Sequence, residues 1–386
     1  MNLASILKSY PDFIEQSITD RFIKHQDVVS LTEQLNDSFQ IKCIGRSEEN
    51  RSIHLIQWGN GKTKILIWSQ MHGDEPTGTM AIFDLLNLLG NPSHSSLADY
   101  IKENCTLYFI PMVNPDGAER FIRRNALQID LNRDYLKTAT AEARVLKSIR
   151  KELNPHFGFN LHDQDTLWSV KHTGKPATLS YLAPAYDEQL SLNQTRTSAM
   201  LVIADIFLNL KQLLPNQIGL FDDEHEPRAF GDNFQLAGMS TILIEAGGLH
   251  QDPEKQEIRK YFMLSILSGI WSIATATYKQ QKTANYFTIP KNDKQIFHML
   301  IHNIVIDGLR TSIGINYDEK PNADGRSTTR THSIKDIGDL SFCWAYQTFQ
   351  STDFTIQEKI TLDECANFTL YENDKIILAF TDGILG

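Results

Sequence analysis

The sequence predicts an α/β domain with a largely parallel sheet, followed by a small β-rich domain. Between residues 40 and 284, short near-continuous apolar segments alternate with helical stretches, as expected for strands that helices cover on both faces. From residue 285 onward the helical periodicity fades, and alternating segments end at Asp-Gly and Glu-Asn-Asp turns. The chain has 386 residues, more than the roughly 250 to 300 of a single core, so two domains are expected.

The elements follow in order. Residues 1–39 carry spaced apolar positions and predict one or two amphipathic helices packed on the next domain. Within residues 40–284 the predicted strands are FQIKCIG, SIHLIQWG, KILIWSQ, CTLYFIPMV, HFGFNLH and STILIEAGG. The predicted helices include PTGTMAIFDLLNLLG, TAEARVLKSIRKEL, NQTRTSAMLVIADIFLNLKQLL and QEIRKYFMLSILSGIWSIATATYK. Residues 285–386 contain the alternating segments IHNIVIDGLR, FTIQEKITL, ANFTLYEN and KIILAFTDG.

Composition narrows the classes of function. The 37 Lys and Arg against 47 Asp and Glu give a net charge of -10, which opposes a nucleic-acid or anionic-membrane partner. The opening MNLASILKSYPDFIEQSITD meets acidic residues and a proline too early for a secretory signal, so a cytoplasmic location is predicted. Four widely spaced cysteines without a CxxC pair predict buried free thiols. The oligomeric state is left open.

Polar residues follow three of the apolar strands. His72 and Glu75 come after KILIWSQ, His162 lies in HFGFNLH, and Glu245 ends STILIE. Ligands of open α/β sheets bind beyond the carboxyl ends of the strands. Two imidazoles and one carboxylate form the ligand set of a catalytic zinc ion, which keeps one position for water. Glu245 suits the base that takes a proton from that water.

A longer motif adds a resemblance. Residues 114–135, NPDGAERFIRRNALQIDLNRDY, together with MHGDEPTG, resemble the zinc carboxypeptidase family. The nearest subgroup includes cytosolic carboxypeptidases and bacterial peptidoglycan-peptide amidases, and the resemblance covers about residues 40–280. It implies a three-layer α/β/α fold with a mixed, mostly parallel sheet. It also implies one zinc ion and a metallopeptidase that hydrolyses an amide bond next to a free carboxylate.

The resemblance assigns roles to individual residues. His72 and Glu75 match the first two zinc ligands, and His162 matches the third. Glu245 matches the catalytic glutamate, and Asp130 matches the carboxylate that orients a ligand histidine.

Further matches concern the substrate. Asn132 and Arg133 match the pair that binds the terminal carboxylate, to which a guanidinium offers two parallel donors. A further arginine of the family stabilises the oxyanion. Arg123 is favoured over Arg124 for this role because it lies nine residues before Asn132.

Two departures from the family pattern are visible. Many digestive members have a tyrosine about twenty residues before the catalytic glutamate, whereas here none occurs between Tyr186 and Tyr261. Asp134 replaces a common Asn, which either weakens the binding of anionic substrates or caps the next element.

Two alternative functions stay open at this point. The same zinc scaffold serves N-acyl amino acid hydrolases of the aspartoacylase or succinylglutamate desuccinylase type, so the substrate partner is a peptide or an N-acyl amino acid. The motifs NPDG and DLNRD favour peptides. A binding protein without catalytic activity is the second alternative, and the retention of all ligands and Glu245 argues against it.

Overall fold

In a computed structural model of the protein, residues 1–306 and 308–386 are described. The chain divides into two compact units. Unit 1 consists of Met1–Thr166 and Ala177–Asn292, and unit 2 of Leu167–Pro176 and Asp293–Gly386. The domain boundaries expected from the sequence, after residues 39 and 284, stay predictions.

Helices and strands alternate through unit 1. The helices are α1 Leu3–Lys8, α2 His25–Glu33, α3 Thr77–Gly90, α4 Ser95–Asn104, α5 Pro115–Arg120, α6 Ala141–Leu153, α7 Gln194–Leu210, α8 Phe230–Leu236, α9 Gln256–Thr275 and α10 Thr283–Phe287. The first ten strands, of which β6 and β7 belong to unit 2, are β1 Gln40–Arg46, β2 Ser52–Gly59, β3 Thr63–Trp68, β4 Cys105–Ile110, β5 Phe157–Asp163, β6 Ser169–Val170, β7 Lys175–Pro176, β8 Leu179–Leu182, β9 Ile218–Leu220 and β10 Ser240–Ala246.

One mixed sheet of eight strands organises unit 1. Its order is β1-β2-β4-β3-β5-β10-β8-β9. The four central strands β4, β3, β5 and β10 are parallel, and antiparallel pairing begins at β2 on one side and at β8 on the other. Because the central strands share one direction, their carboxyl ends meet at one edge of the sheet.

The sheet lies between two layers of helices. Alternate residues of β3 face opposite sides, so Ile65 and Ile67 join a core with α3, α4, α7 and α9. Leu66 and Trp68 join a second core with α6 and α8. Burial on both faces explains the continuous apolar runs of the central strands. The predicted α/β fold with three layers is confirmed.

A buried arginine anchors the N-terminal segment in unit 1. The Arg259 guanidinium on α9 donates to Asp84 Oδ1 on α3 at 2.7 Å and to Asp84 Oδ2 at 2.9 Å. The same group donates to the carbonyl oxygens of Glu15 and Ile18, and Tyr10 also donates to Asp84. Burial opposes the charged form of Arg259, but the ion pair with Asp84 outweighs it and raises the Arg259 pKa.

Unit 2 is built from strands. Beside β6 and β7 it contains β12 Ile296–Ile306, β13 Leu309–Pro321, β14 Thr328–Gly338, β15 Trp344–Gln350, β16 Phe354–Ile356, β17 Thr369–Glu372, β18 Lys375–Thr381 and β19 Ile384–Leu385, while β11 Asn292–Asp293 lies at its start. Two sheets, β14-β13-β12-β15 and β16-β17-β18-β19, enclose a core of apolar side chains from both. The β-rich C-terminal region predicted from the sequence is confirmed.

Two smaller observations complete the fold. No helix in the described ranges is both long enough and apolar enough to cross a bilayer. All four cysteines are free thiols, but only Cys105 is buried, and Cys43 and Cys365 are exposed. The prediction of four buried thiols is therefore wrong. Cys43 is exposed because β1 is an edge strand with little covering structure.

Candidate metal centre

His72 and Glu75 lie in the loop that joins β3 to α3. The loop turns sharply beside Gly117, and a Cβ atom on Gly73 would lie 2.0 Å from the Gly117 carbonyl carbon, so only glycine fits there. Gln70 closes the turn by donating from Nε2 to the Gly73 carbonyl oxygen at 2.9 Å. The two candidate ligands therefore face the carboxyl edge of the sheet from a tightly held loop.

The three predicted ligands converge. His72 Nδ1 lies 2.8 Å from Glu75 Oε1, and His162 Nδ1 lies 2.7 Å from Glu75 Oε2. All three side chains are buried, and their ligand atoms lie within 4.8 Å of one another. This is the one group of three or more His, Cys, Asp or Glu residues in the described part of the chain that could hold a metal ion.

The proton arrangement of this group fits a cation. His72 Nε2 lies 3.1 Å from Asp130 Oδ1, so a neutral ring donates there. Nδ1 then presents a lone pair to the Glu75 carboxylate and to the Arg123 guanidinium 3.1 Å away. With His72 in this neutral tautomer, a cation between Nδ1 and Glu75 would satisfy the lone pairs of both. Imidazole nitrogen and carboxylate oxygen are ligands that zinc accepts, so these residues fit a zinc ion.

Neighbouring charges and burial shift the pKa values of the three candidate ligands. Burial acts to raise the pKa of Glu75, but the imidazoles of His72 and His162 outweigh it and the pKa is lowered. Burial lowers the pKa of His162, which favours the neutral imidazole that a metal ligand requires. Burial also acts to lower the pKa of His72, but the carboxylates of Glu75 and Asp130 reverse this and raise it.

Asp130 and Arg123 form a second layer of contacts. Arg123 Nε donates to Asp130 Oδ2 at 3.1 Å, and Arg123 Nη1 donates to Glu75 Oε1 at 3.0 Å. Burial opposes ionisation of Asp130, but the hydrogen bond with His72 and the positive charge of Arg123 lower its pKa. Arg124 Nη1 instead donates to the Gln128 carbonyl oxygen at 2.9 Å.

Glu245 lies on β10, the strand next to β5. It pairs in register with His162, so the two side chains leave adjacent strand ends on the same side of the sheet. Glu245 Oε2 is buried and has no hydrogen-bond partner among the described residues. Burial raises the pKa of Glu245, and the carboxylates of Glu75 and Asp163 add to this.

Asn132 and Arg133 follow Asp130 in a short 3₁₀ turn. Asp130 Oδ1 accepts from the Asn132 backbone N–H at 2.9 Å, which places the pair beside the ligand group. Asn132 Oδ1 accepts from the Phe230 backbone N–H at 2.9 Å. Arg133 Nε lies 3.0 Å from Glu226 Oε2, so its positive charge has a carboxylate partner within the chain. Their role toward a substrate stays a prediction.

The contacts of Asp134 agree with a capping role and not with a role in substrate binding. Its Oδ1 accepts from the Ala139 backbone N–H at 2.9 Å, and its Oδ2 accepts from the Thr140 backbone N–H and hydroxyl at 2.9 and 2.8 Å. Asp134 therefore caps the loop that leads into α6. No contact in the described chain points it toward the ligand group.

A pocket of about 320 Å³ opens beside Glu75. Charged side chains of both signs line it, namely Arg21, Asp74, Glu75, Arg123, Asp163, Asp165 and Lys255, together with Pro76, Gln164 and Thr166. Sequence reasoning missed Asp163 and Lys255, although Asp163 directly follows a predicted ligand.

Fold and site together define a class of protein: an α/β domain with a candidate mononuclear metal centre at the carboxyl edge of its sheet. Residues 25–199 match the family model described as zinc carboxypeptidase. This range contains all three candidate ligands, Asp130, Arg123 and Arg133, but it ends before Glu245. This segment is therefore similar to the zinc carboxypeptidase family, in agreement with the resemblance seen in the sequence.

Individual carboxypeptidases are similar to parts of this chain. Carboxypeptidase 2 of Trichophyton tonsurans is 29% identical over 132 residues, which cover 32% of this chain and 24% of that protein. Carboxypeptidase SOL1 of Arabidopsis thaliana is 42% identical over 66 residues, or 17% of this chain and 13% of that protein. The chain thus matches about a quarter or less of these relatives.

Solved structures extend the similarity of the fold. The metallo-carboxypeptidase of Pseudomonas aeruginosa superimposes with a TM-score of 0.53 at 15% identity, over 66% of this chain and 69% of that one. Thrombin activatable fibrinolysis inhibitor superimposes with a TM-score of 0.53 at 14% identity, over 71% of this chain and 81% of that one. At these identities the likeness concerns the fold alone.

Proposed function

We propose that this chain is a zinc-dependent hydrolase of the carboxypeptidase type, which cleaves an amide bond next to a free carboxylate. The observation that carries the proposal is the convergence of His72 Nδ1 and His162 Nδ1 on the two oxygens of Glu75. A zinc ion held by these three residues would supply Lewis acidity and a water molecule with a pKa near about 7.

Glu245 is the general base of the proposed reaction. Its Oε2 is buried and has no hydrogen-bond partner in the described ranges, and its carboxylate lies among charged groups at the end of β10. We assign to it the removal of a proton from the attacking water and the delivery of that proton to the leaving nitrogen. Burial that raises the pKa of Glu245 makes its carboxylate a stronger base for the first of these two transfers.

Arg123 and the Asn132–Arg133 pair handle the substrate in this proposal. Arg123 has its guanidinium beside Glu75 and part of its side chain exposed, so it can donate to the oxyanion that forms at the scissile carbonyl. Arg133 can offer two parallel donors to a terminal carboxylate. The substrate carboxylate would then have to replace the Glu226 carboxylate, which contacts Arg133 in this structure.

A substrate panel tests the proposal. Zinc-loaded protein is incubated with short peptides that have a free carboxyl terminus, with the same peptides amidated at that terminus, and with N-acyl amino acids. We expect release of the last amino acid from the free peptides only. Exclusive turnover of N-acyl amino acids would replace the peptidase proposal with the N-acyl amino acid hydrolase.

The substitution Glu245→Gln tests the assigned chemistry. It keeps the size of the side chain and removes the base, so kcat should fall by about 10²- to 10⁴-fold while zinc stays bound at one ion per chain. Unchanged hydrolysis, or a wild-type protein that binds no zinc, would contradict the mechanism. If the wild type binds zinc but hydrolyses none of these substrates, the alternative of a binding protein without catalytic activity is favoured.

The cytoplasmic location stays a prediction.

A further inference from the structure

Three segments of unit 1 meet at Asp163, the residue after the candidate ligand His162. Its backbone N–H donates to Glu75 Oε2 at 3.2 Å. Its side-chain Oδ2 accepts from the Thr77 hydroxyl at 2.6 Å and lies 3.9 Å from Lys255 Nζ. Asp163 therefore connects the start of α3, the end of β5 and the loop that precedes α9.

Lys255 connects the same point to the strand of Glu245. Its ammonium donates to the carbonyl oxygens of Ala246 at 3.4 Å and Gly247 at 2.5 Å, the two residues that follow Glu245. The side chains of Lys255 and Asp163 are each only 8% exposed. A lysine so deeply buried is stable only where carboxylates and carbonyl oxygens surround its charge.

The backbone around this lysine is specialised. Lys255 has φ +58°, a left-handed conformation that lysine rarely adopts and that surrounding contacts must hold. Gly247 packs so closely that a Cβ atom there would lie 2.0 Å from the Ala177 carbonyl oxygen. Both features direct the loop after β10 back over the strand end, toward Asp163. In register, Asp163 lies opposite Ala246 on the neighbouring strand.

We propose that Lys255 is a positioning residue for Glu245. By joining the carbonyl groups after Glu245 to Asp163, it fixes the base relative to Glu75 and His162. This inference rests on the proposed function. It names a residue outside the ligand set and the substrate-binding pair, and it explains a buried cation that the chemical steps do not use. Positional precision is the gain, because a displacement of about 1 Å can cost about 10²-fold in rate.

The substitution Lys255→Met tests the inference in the full-length, zinc-loaded protein. Methionine keeps most of the length of the side chain and removes its charge. We expect kcat to fall about 10- to 100-fold with KM within about twofold and zinc still bound at one ion per chain. Lys255→Arg, which keeps the cation, should recover at least about half of this loss on a logarithmic scale. The matched control is Lys260→Met on the adjoining helix α9, where Lys260 pairs with the exposed Glu257, and its kcat should stay unchanged.

A second variant and a structural measurement test the same inference independently. Asp163→Asn removes the partner charge but keeps an acceptor for Thr77, and its effect on kcat should not add to that of Lys255→Met. Additive effects, or a wild-type kcat in Lys255→Met, would overturn the inference. Crystal structures of the zinc-loaded wild type and the zinc-loaded Lys255→Met variant do not depend on turnover. We expect the Glu245 carboxylate to lie about 1 Å from its wild-type position in Lys255→Met. An unmoved Glu245 would overturn the inference even if the wild type hydrolyses nothing.

Discussion

Two adjacent arginines of this chain have opposite environments. Arg123 donates to Asp130 and Glu75, and its Nη1 lies 3.1 Å from His72 Nδ1. Arg124 Nη1 instead donates to the Gln128 carbonyl oxygen at 2.9 Å, a contact outside the ligand group. The choice between them, which rested on a nine-residue spacing, can therefore be argued from contacts as well.

Paired substitutions should separate the two arginines. Arg123→Lys replaces a planar fork of donors by one point charge, so kcat should fall by about 10²- to 10³-fold. Arg124→Lys should leave kcat within about twofold. Steady-state kinetics on one peptide substrate give both numbers. Equal losses in the two variants would show that neither guanidinium acts at the reacting carbonyl.

Asp130 should control metal affinity. Asp130→Asn weakens the acceptor for His72 Nε2, and the loss of such a partner typically weakens metal binding by about 10- to 100-fold. Competition with a chromophoric chelator measures this. Asp134→Asn is the control, because Asp134 caps a loop and its loss should lower stability but leave the zinc affinity unchanged. An unaltered affinity in Asp130→Asn would contradict the role given to Asp130.

The sequence predicted the site residues that lie at the ends of apolar strands, but it did not predict those that only tertiary contacts bring to the site. His162 and Glu245 end predicted strands, so their common edge follows from the sheet. Lys255 lies ten residues after Glu245 in a loop without periodicity, and nothing local marks it. The contact between Arg133 and Glu226 joins residues 93 positions apart in the sequence, and no pattern predicts it.

One buried ion pair joins two helices of the same layer to the N-terminal segment. Arg259 on α9 contacts Asp84 on α3 and two carbonyl oxygens of the N-terminal segment, and the side chains of both partners are fully buried. The pair therefore joins three pieces of chain. Amphipathic spacing predicted helices in residues 1–39, but it could not show that a distant arginine holds this segment.

Loss of the arginine should destabilise unit 1. Arg259→Met leaves the Asp84 carboxylate buried without its cation, so the free energy of unfolding should fall by about 3 to 5 kcal/mol. Urea unfolding followed by intrinsic fluorescence measures the change. Lys260→Met, which removes a more exposed pair one residue later, should cost less than about 1 kcal/mol. Similar costs for both variants would contradict the anchoring role of Arg259.

At the scale of the whole chain, unit 2 should be sensitive to acid. His298 on β12 stacks on Tyr317, and its Nδ1 accepts from the Tyr317 backbone N–H at 3.1 Å. Burial lowers the pKa of His298 to about 3, and the Arg330 guanidinium adds to this. The unfolded imidazole has a pKa near about 6.5, so the unfolded chain binds the extra proton between about pH 6.5 and 3.

Acidification through that window should therefore lower stability. The slope approaches about 1.4 kcal/mol per pH unit, and the contribution is fully retained above about pH 6.5. Denaturant midpoints of the full chain at pH 7.5, 6 and 5 measure the effect. His298→Asn keeps an acceptor but cannot be protonated, so its midpoint should vary less with pH. An equal pH dependence in both proteins would exclude His298 as the cause.

The class of each region was predictable from hydrophobic patterns, but the division of the chain was not. Continuous apolar runs predicted the buried strands of unit 1, and alternation predicted the strands of unit 2. The short segment Leu167–Pro176 belongs to unit 2 although unit 1 residues flank it on both sides. Ten residues carry too little pattern to reveal such an assignment.

This discontinuity bears on genetic dissection and on the ancestry of the gene. The polypeptide passes between the units three times, after residues 166, 176 and 292. A shortened protein that stops at Asn292 would keep β6 and β7 but lose Asp293, whose carbonyl oxygen accepts from the Ser169 hydroxyl. A single recombination break cannot exchange the C-terminal portion cleanly. The two parts are thus expected to be inherited together, and libraries that swap one of them must also redesign residues 167–176.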